Sequence, residues 1–99
     1  MAYRLSRRAQ SDLQEISLYT LRQWGDAQAE NYYQDILERL RLVAAEPLHP
    51  ASRARGGLAP GCRVMTVGKH AIFYCVGPTQ VEILRILHQR MLLSTEKFQ

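Results

Sequence analysis

The stretch Arg63–Arg90, RVMTVGKHAIFYCVGPTQVEILRILHQR, decides the fold. It reads as three consecutive antiparallel strands, Cys62 to Val67, His70 to Val76 and Val81 to Leu87. Gly68-Lys69 is a two-residue connection with glycine first, the signature of a type II′ hairpin. Gly77-Pro78-Thr79-Gln80 is a polar loop of the next commonest kind. If Val67 pairs with His70, Val64 faces Phe73, Arg63 faces Tyr74 and Cys62 faces Cys75. If Val76 pairs with Val81, Tyr74 faces Ile83, Phe73 faces Leu84 and Ile72 faces Arg85. Side chains alternate across a strand, so this register sorts them into two faces. Cys62, Val64, Thr66, Ala71, Phe73, Cys75, Leu84 and Ile86 share a face without a central charge. That face is expected to pack on the rest of the protein. Arg63, Met65, Val67, His70, Ile72, Tyr74, Ile83, Arg85 and Leu87 share the other, expected to meet a partner.

Working outward to the N-terminus, Ala2 to Leu5 is a short strand candidate. Ser6 offers a hydroxyl as N-cap to a helix with Ala9, Leu13, Ile16 and Thr20 on one stripe. Tyr19 and Trp24 widen that stripe. Gly25 ends the helix and Asp26 is expected to cap a second one running to about Ala45. The second stripe is Ala29, Tyr33, Ile36, Leu37, Leu40, Val43 and Ala44. A connection as short as Trp24-Gly25-Asp26 forces the helices into an antiparallel hairpin. Pro47, Pro50, Pro60 and Gly56-Gly57 make Glu46 to Gly61 a loop that exposes Arg53 and Arg55. His88 to Gln99 is a tail. The order predicts an α+β fold: an N-terminal strand, an αα-hairpin and a three-stranded antiparallel meander. The first strand joins the sheet beside a meander strand, and both helices cover one face.

Length and composition set bounds on this. The 99 residues suffice for one domain, residues 1–99, with a modest core. Hydrophobic content of 46% and charged content of 22% are ordinary for a globular protein. No apolar run approaches the ~20 residues needed to span a bilayer, and the first residues lack a signal-peptide stretch. A cytoplasmic protein is expected, with no membrane partner. The two cysteines, Cys62 and Cys75, face each other in this register, within reach of a disulfide. A reducing cytoplasm favours reading them as small apolar core residues. His49, His70 and His88 match no zinc pattern, so no metal and no cofactor are expected. The net charge of +4 is carried almost wholly by arginine and suits an acidic protein or nucleic acid.

The order and spacing of these pieces resemble the ParE/RelE superfamily of bacterial toxin–antitoxin pairs, over nearly the whole chain. YRLSRRAQSDLQEISLYTLRQWGDAQAENYYQDI is similar to the opening of ParE toxins. Arg63, Gly68-Lys69-His70, Ile72-Phe73-Tyr74 and the run from Arg85 to Met91 are similar to their ending. The resemblance implies a single toxin domain that acts on DNA gyrase and blocks replication. It implies neutralisation by a ParD-like antitoxin, a ribbon–helix–helix dimer with a disordered tail, through which alone operator DNA is reached. Arg63, His70, Arg85, His88 and Arg90 are the target-contact candidates. Tyr19, Trp24, Tyr32, Tyr33, Ile36 and Leu40 are the antitoxin-binding candidates. No catalytic residue is assigned. The alternative is a RelE-like, ribosome-dependent mRNA endonuclease, which needs a base, an acid and clustered cations. Met65 stands where a second cation would follow Arg63, and Leu92–Gln99 contains no tyrosine, so the nuclease ranks second. A degenerate toxin that only binds antitoxin ranks third.

Overall fold

The computed structural model describes residues 1–54 and 60–90. Seven elements follow in order: β1 (Ala2–Leu5), α1 (Arg7–Trp24), α2 (Asp26–Ala45), β2 (Arg53–Ala54), β3 (Cys62–Val67), β4 (His70–Val76) and β5 (Gln80–His88). They form an α+β fold with a five-stranded sheet in the order β1-β5-β4-β3-β2. β1 lies parallel to β5, and every other pairing is antiparallel. The expected meander is present but belongs to this larger, mixed sheet. β2 pairs Arg53 with Val64 and Ala54 with Arg63 inside what the prolines mark as loop.

Capping fixes the helices. Ser6 is extended, and its Oγ accepts the Ala9 N–H at 3.0 Å while donating to the Leu84 carbonyl at 2.7 Å. One hydroxyl therefore starts α1 and ties it to β5. α1 stops at Gly25, whose N–H donates to Leu21 O. Gly25 has φ +87° and ψ 176°, a conformation open only to glycine, so one residue reverses the chain. Asp26 is the first residue of α2, not its cap, and makes no capping hydrogen bond. Its carboxylate still lies in the first turn, where the helix dipole favours it.

The hairpin register of β3 and β4 is as expected, from Cys62↔Cys75 to Val67↔His70. Gly68 has φ +55°, and Lys69 does not share the positive φ, as a type II′ turn requires. β4 and β5 begin as expected with Val76↔Val81 and Tyr74↔Ile83. A bulge then leaves Leu84 without a partner, so Phe73 pairs with Arg85 and Ile72 with Ile86. Every β5 residue beyond Leu84 changes face relative to a regular ladder.

The assignment of faces is corrected as well. The helices cover Met65, Val67, Ile72, Tyr74, Val81, Ile83 and Ile86, which join Ala9, Leu13, Ile16, Ile36, Leu40 and Val43 in the main core. The face expected to meet a partner is therefore the core face. The bulge removes Arg85 from it and adds Ile86. Arg63, at its end, turns to Ser52. Tyr74 reaches through the core to donate its hydroxyl to Pro47 O at 2.5 Å. Ala71, Phe73 and Leu87 form a smaller buried cluster on the opposite face, with Val64 against it. Cys62 and Cys75 are joined by a disulfide, against the expectation of two thiols. Direct cross-strand pairing brings the sulfurs together. Among the described residues no helix is long and apolar enough to cross a membrane.

Candidate functional site

The site grows from a strand that is too short. β1 pairs with β5 only from Gln80 to Ile83, because the chain turns into α1 at Ser6. Beyond Ile83 the outer edge of β5 is met by side chains. Ser6 Oγ takes the Leu84 carbonyl, and the Asp12 carboxylate takes the Ile86 N–H at 3.0 Å. Asp12 also accepts from Arg85 Nε at 2.8 Å and Nη2 at 2.9 Å. The pair is largely buried, with side-chain exposures of 17% for Arg85 and 9% for Asp12. The hydrogen bond to Asp12 raises the Arg85 pKa above its ordinary value, outweighing burial. A fork donating to a carboxylate is a rigid arrangement. It locks α1 against the end of β5.

Past that lock, two imidazoles stand opposite each other on neighbouring strands. His70 pairs with His88 across β4 and β5, with ring centroids 5.3 Å apart in an edge-to-face arrangement. His70 Nδ1 lies 2.6 Å from Tyr32 Oη, which also accepts the Lys69 N–H at 3.2 Å. Burial, helped by the neighbouring His88, lowers the His70 pKa to about 4, so it is neutral near pH 7. Burial raises the pKa of Tyr32. His88 Nδ1 accepts the Arg90 N–H at 3.1 Å. A backbone N–H only donates, so in the neutral ring the proton sits on Nε2. His88 thus presents an N–H donor at Nε2. Among the described residues no group of three or more His, Cys, Asp or Glu is placed to hold a metal ion.

Asp12, Arg85, His70 and His88 line an open groove of about 700 Å³ between α1 and the end of β5. Ile16, Leu18 and Tyr19 form one wall, and Ile86 and Leu87 the floor. Glu15, Arg22, His70, Arg85, His88 and Arg90 supply the polar rim. Leu18 and Tyr19 are exposed, as are Leu21 and Trp24 further along α1, so the helix carries an uncovered apolar stripe beside the groove.

Residues 3–93, which include this groove, match the family model described as the ParE toxin of type II toxin-antitoxin systems, parDE. The chain belongs to the ParE toxin family. It is 39% identical over 89 residues to Toxin ParE1 of Caulobacter vibrioides, covering 90% of each protein. The fold is that of a chain in the chromosomal ParDE system of P. aeruginosa, with a TM-score of 0.71 and 24% identity over 89% of this chain and 95% of that one. It is also that of a chain in the RelBE2 toxin–antitoxin complex of Mycobacterium tuberculosis, with a TM-score of 0.62 and 21% identity over 89% and 96%. The shared fold does not separate ParE from RelE proteins; the sequence match does.

In this ParE-family chain the groove unites residues that sequence reasoning kept apart. His70, Arg85, His88 and Arg90, read as target contacts, lie with Tyr19, read as an antitoxin contact. Arg63 is elsewhere, with Nε donating to Ser52 Oγ at 2.8 Å. Tyr32 is half-buried and spent on His70 and the Gly68 turn. Tyr33 packs on the core, and Trp24 is 59% exposed at the end of α1. Ile36 and Leu40 are fully buried, so they hold the hairpin to the sheet and offer no surface to an antitoxin. Asp12, Glu15, Leu18 and Arg22 were missed as site residues. Asp12 had a signal: a carboxylate inside the apolar stripe Ala9-Leu13-Ile16 must find a buried partner. Arg55 and Met91–Gln99 lie outside the described residues.

Proposed function

We propose that this ParE-family toxin acts by binding DNA gyrase, stabilising cleaved DNA and stopping replication, and that a ParD-like antitoxin neutralises it. The observation that carries this reading is the groove between α1 and β5, where exposed apolar residues stand beside Arg22, His88 and Arg90. Such a surface suits a macromolecular partner. The same groups are poorly arranged for proton transfer. His88 Nε2 is a donor, His70 Nδ1 is held by Tyr32, and the Arg85 guanidinium is engaged by Asp12. A RelE-like nuclease needs a base for the ribose hydroxyl and a cation for the developing charge.

Induced expression in a growing bacterium tests the reading. DNA synthesis, followed by thymidine incorporation, is expected to stop before protein synthesis, followed by methionine incorporation. Co-expression of a ParD-like antitoxin is expected to restore both. Protein synthesis failing first would favour the nuclease.

A further inference from the structure

We infer that α1 docks against the α1 of a second copy of this chain, antiparallel, through the stripe Glu15, Leu18, Tyr19 and Arg22. This interface belongs to the free toxin, apart from its target and its antitoxin. α1 carries two stripes. Ala9, Leu13, Ile16 and Thr20 are buried within the chain's own fold. Glu15, Leu18, Tyr19 and Arg22 stand at i, i+3, i+4 and i+7, the spacing of one helix face, and all four are exposed. Leu18 is 52% exposed and Tyr19 63%, which leaves an apolar pair in water at the middle of this second stripe.

The order of the charges says what covers that pair. Glu15 lies one turn before it and Arg22 one turn after it. Seven residues of helix hold the two about 10 Å apart, too far to pair within one chain. Among the described residues neither has an opposite charge within ion-pair distance. A two-fold axis level with the Leu18–Tyr19 step reverses the second helix. Glu15 of each copy then faces Arg22 of the other, Leu18 faces Leu18, and Tyr19 faces Tyr19. The same four residues satisfy both charges and cover both apolar side chains, as a contact between identical patches requires. A parallel copy would set Glu15 against Glu15 and Arg22 against Arg22. A nucleic acid would bring phosphate to Glu15. The net charge of +4 on each copy opposes approach, and one helix face is a small area, so the dimer is weak.

The test is sedimentation equilibrium of the full chain. The molar mass should rise from one chain to two with concentration, half-dimerised at about 10–100 μM. Glu15→Arg and Arg22→Glu, both at exposed helix positions, should each keep the chain monomeric over that range, because like charges then meet twice. Mixing the two variants should restore the dimer, since each changed charge then meets its opposite. The double variant should dimerise as the unaltered chain does. A chain that stays monomeric at every concentration would overturn the inference. So would a mass that changes only when an antitoxin is added, which would assign the stripe to that partner. A dimer that survives either single reversal, or single variants that stay monomeric when mixed, would overturn it as well. The measurement involves neither gyrase nor ribosomes, so its failure leaves the reading above standing, and failure of that reading leaves the dimer standing.

Discussion

Removing the Asp12 carboxylate strands two groups at once, the Arg85 guanidinium and the Ile86 N–H. Asp12→Asn keeps one acceptor but loses the charge. It is expected to destabilise the fold by about 2–3 kcal/mol, read from the urea midpoint. A loss below about 0.5 kcal/mol would mean that the end of β5 is held by other contacts. His70 gives a pH signature. Its folded pKa, about 4, lies below the ordinary histidine value of 6.5. Between those values the unfolded chain binds the proton and the folded chain does not, so stability falls as pH drops through that window. Above pH 6.5 the effect vanishes, since both states are neutral. After discounting for solvent at this half-buried ring, the loss is about 1–2 kcal/mol by pH 4. His70→Asn should flatten the melting-temperature profile over that window. An unchanged slope would place the titration elsewhere.

At the scale of elements, the β3–β4 turn is set by space as well as by φ. A Cβ on Gly68 would lie 2.6 Å from Tyr32 Cε1. Gly68→Ala must therefore displace Tyr32 from His70 and hold an alanine at positive φ. It should cost about 2–3 kcal/mol in thermal or urea unfolding. The hairpin was legible because Gly68-Lys69 fixes its register, and so was the start of β5. The bulge at Leu84 was not. Nothing in Val81-Glu82-Ile83-Leu84-Arg85 marks it. It sits where Asp12 of α1 accepts from Arg85 and from the Ile86 N–H at the sheet edge, partners far off in the sequence. The helix-covered face was misread because Arg63, His70 and Arg85 were placed among its apolar residues; the bulge takes only Arg85 out of it. The disulfide was legible as a pairing of Cys62 with Cys75 and misread as chemistry. The bond closes a segment with a sequence separation of 13. A reductant should therefore lower stability by about 2–3 kcal/mol. Cys62→Ser with Cys75→Ser should show the lower value with or without reductant.

For the whole molecule, the order strand, hairpin, strands specified an α+β fold, and the family resemblance was written across both halves of the chain. The site was legible only in parts. His88 and Arg90 were named from the end of the last strand and Tyr19 from the helix stripe, but periodicity within single elements cannot say that they share a groove. That follows from β1 ending at Leu5, which leaves α1 to lie beside the end of β5. Ile36 and Leu40 were misplaced because a helix stripe looks the same whether it faces a sheet of its own chain or a partner. We propose that this surface grips a macromolecule and performs no bond chemistry of its own. The decisive measurement adds the purified chain to DNA gyrase with relaxed plasmid and, in parallel, to translating ribosomes. Supercoiling should be lost, cleaved plasmid should accumulate, and mRNA should stay intact. Cut mRNA beside a fully active gyrase would overturn the proposal.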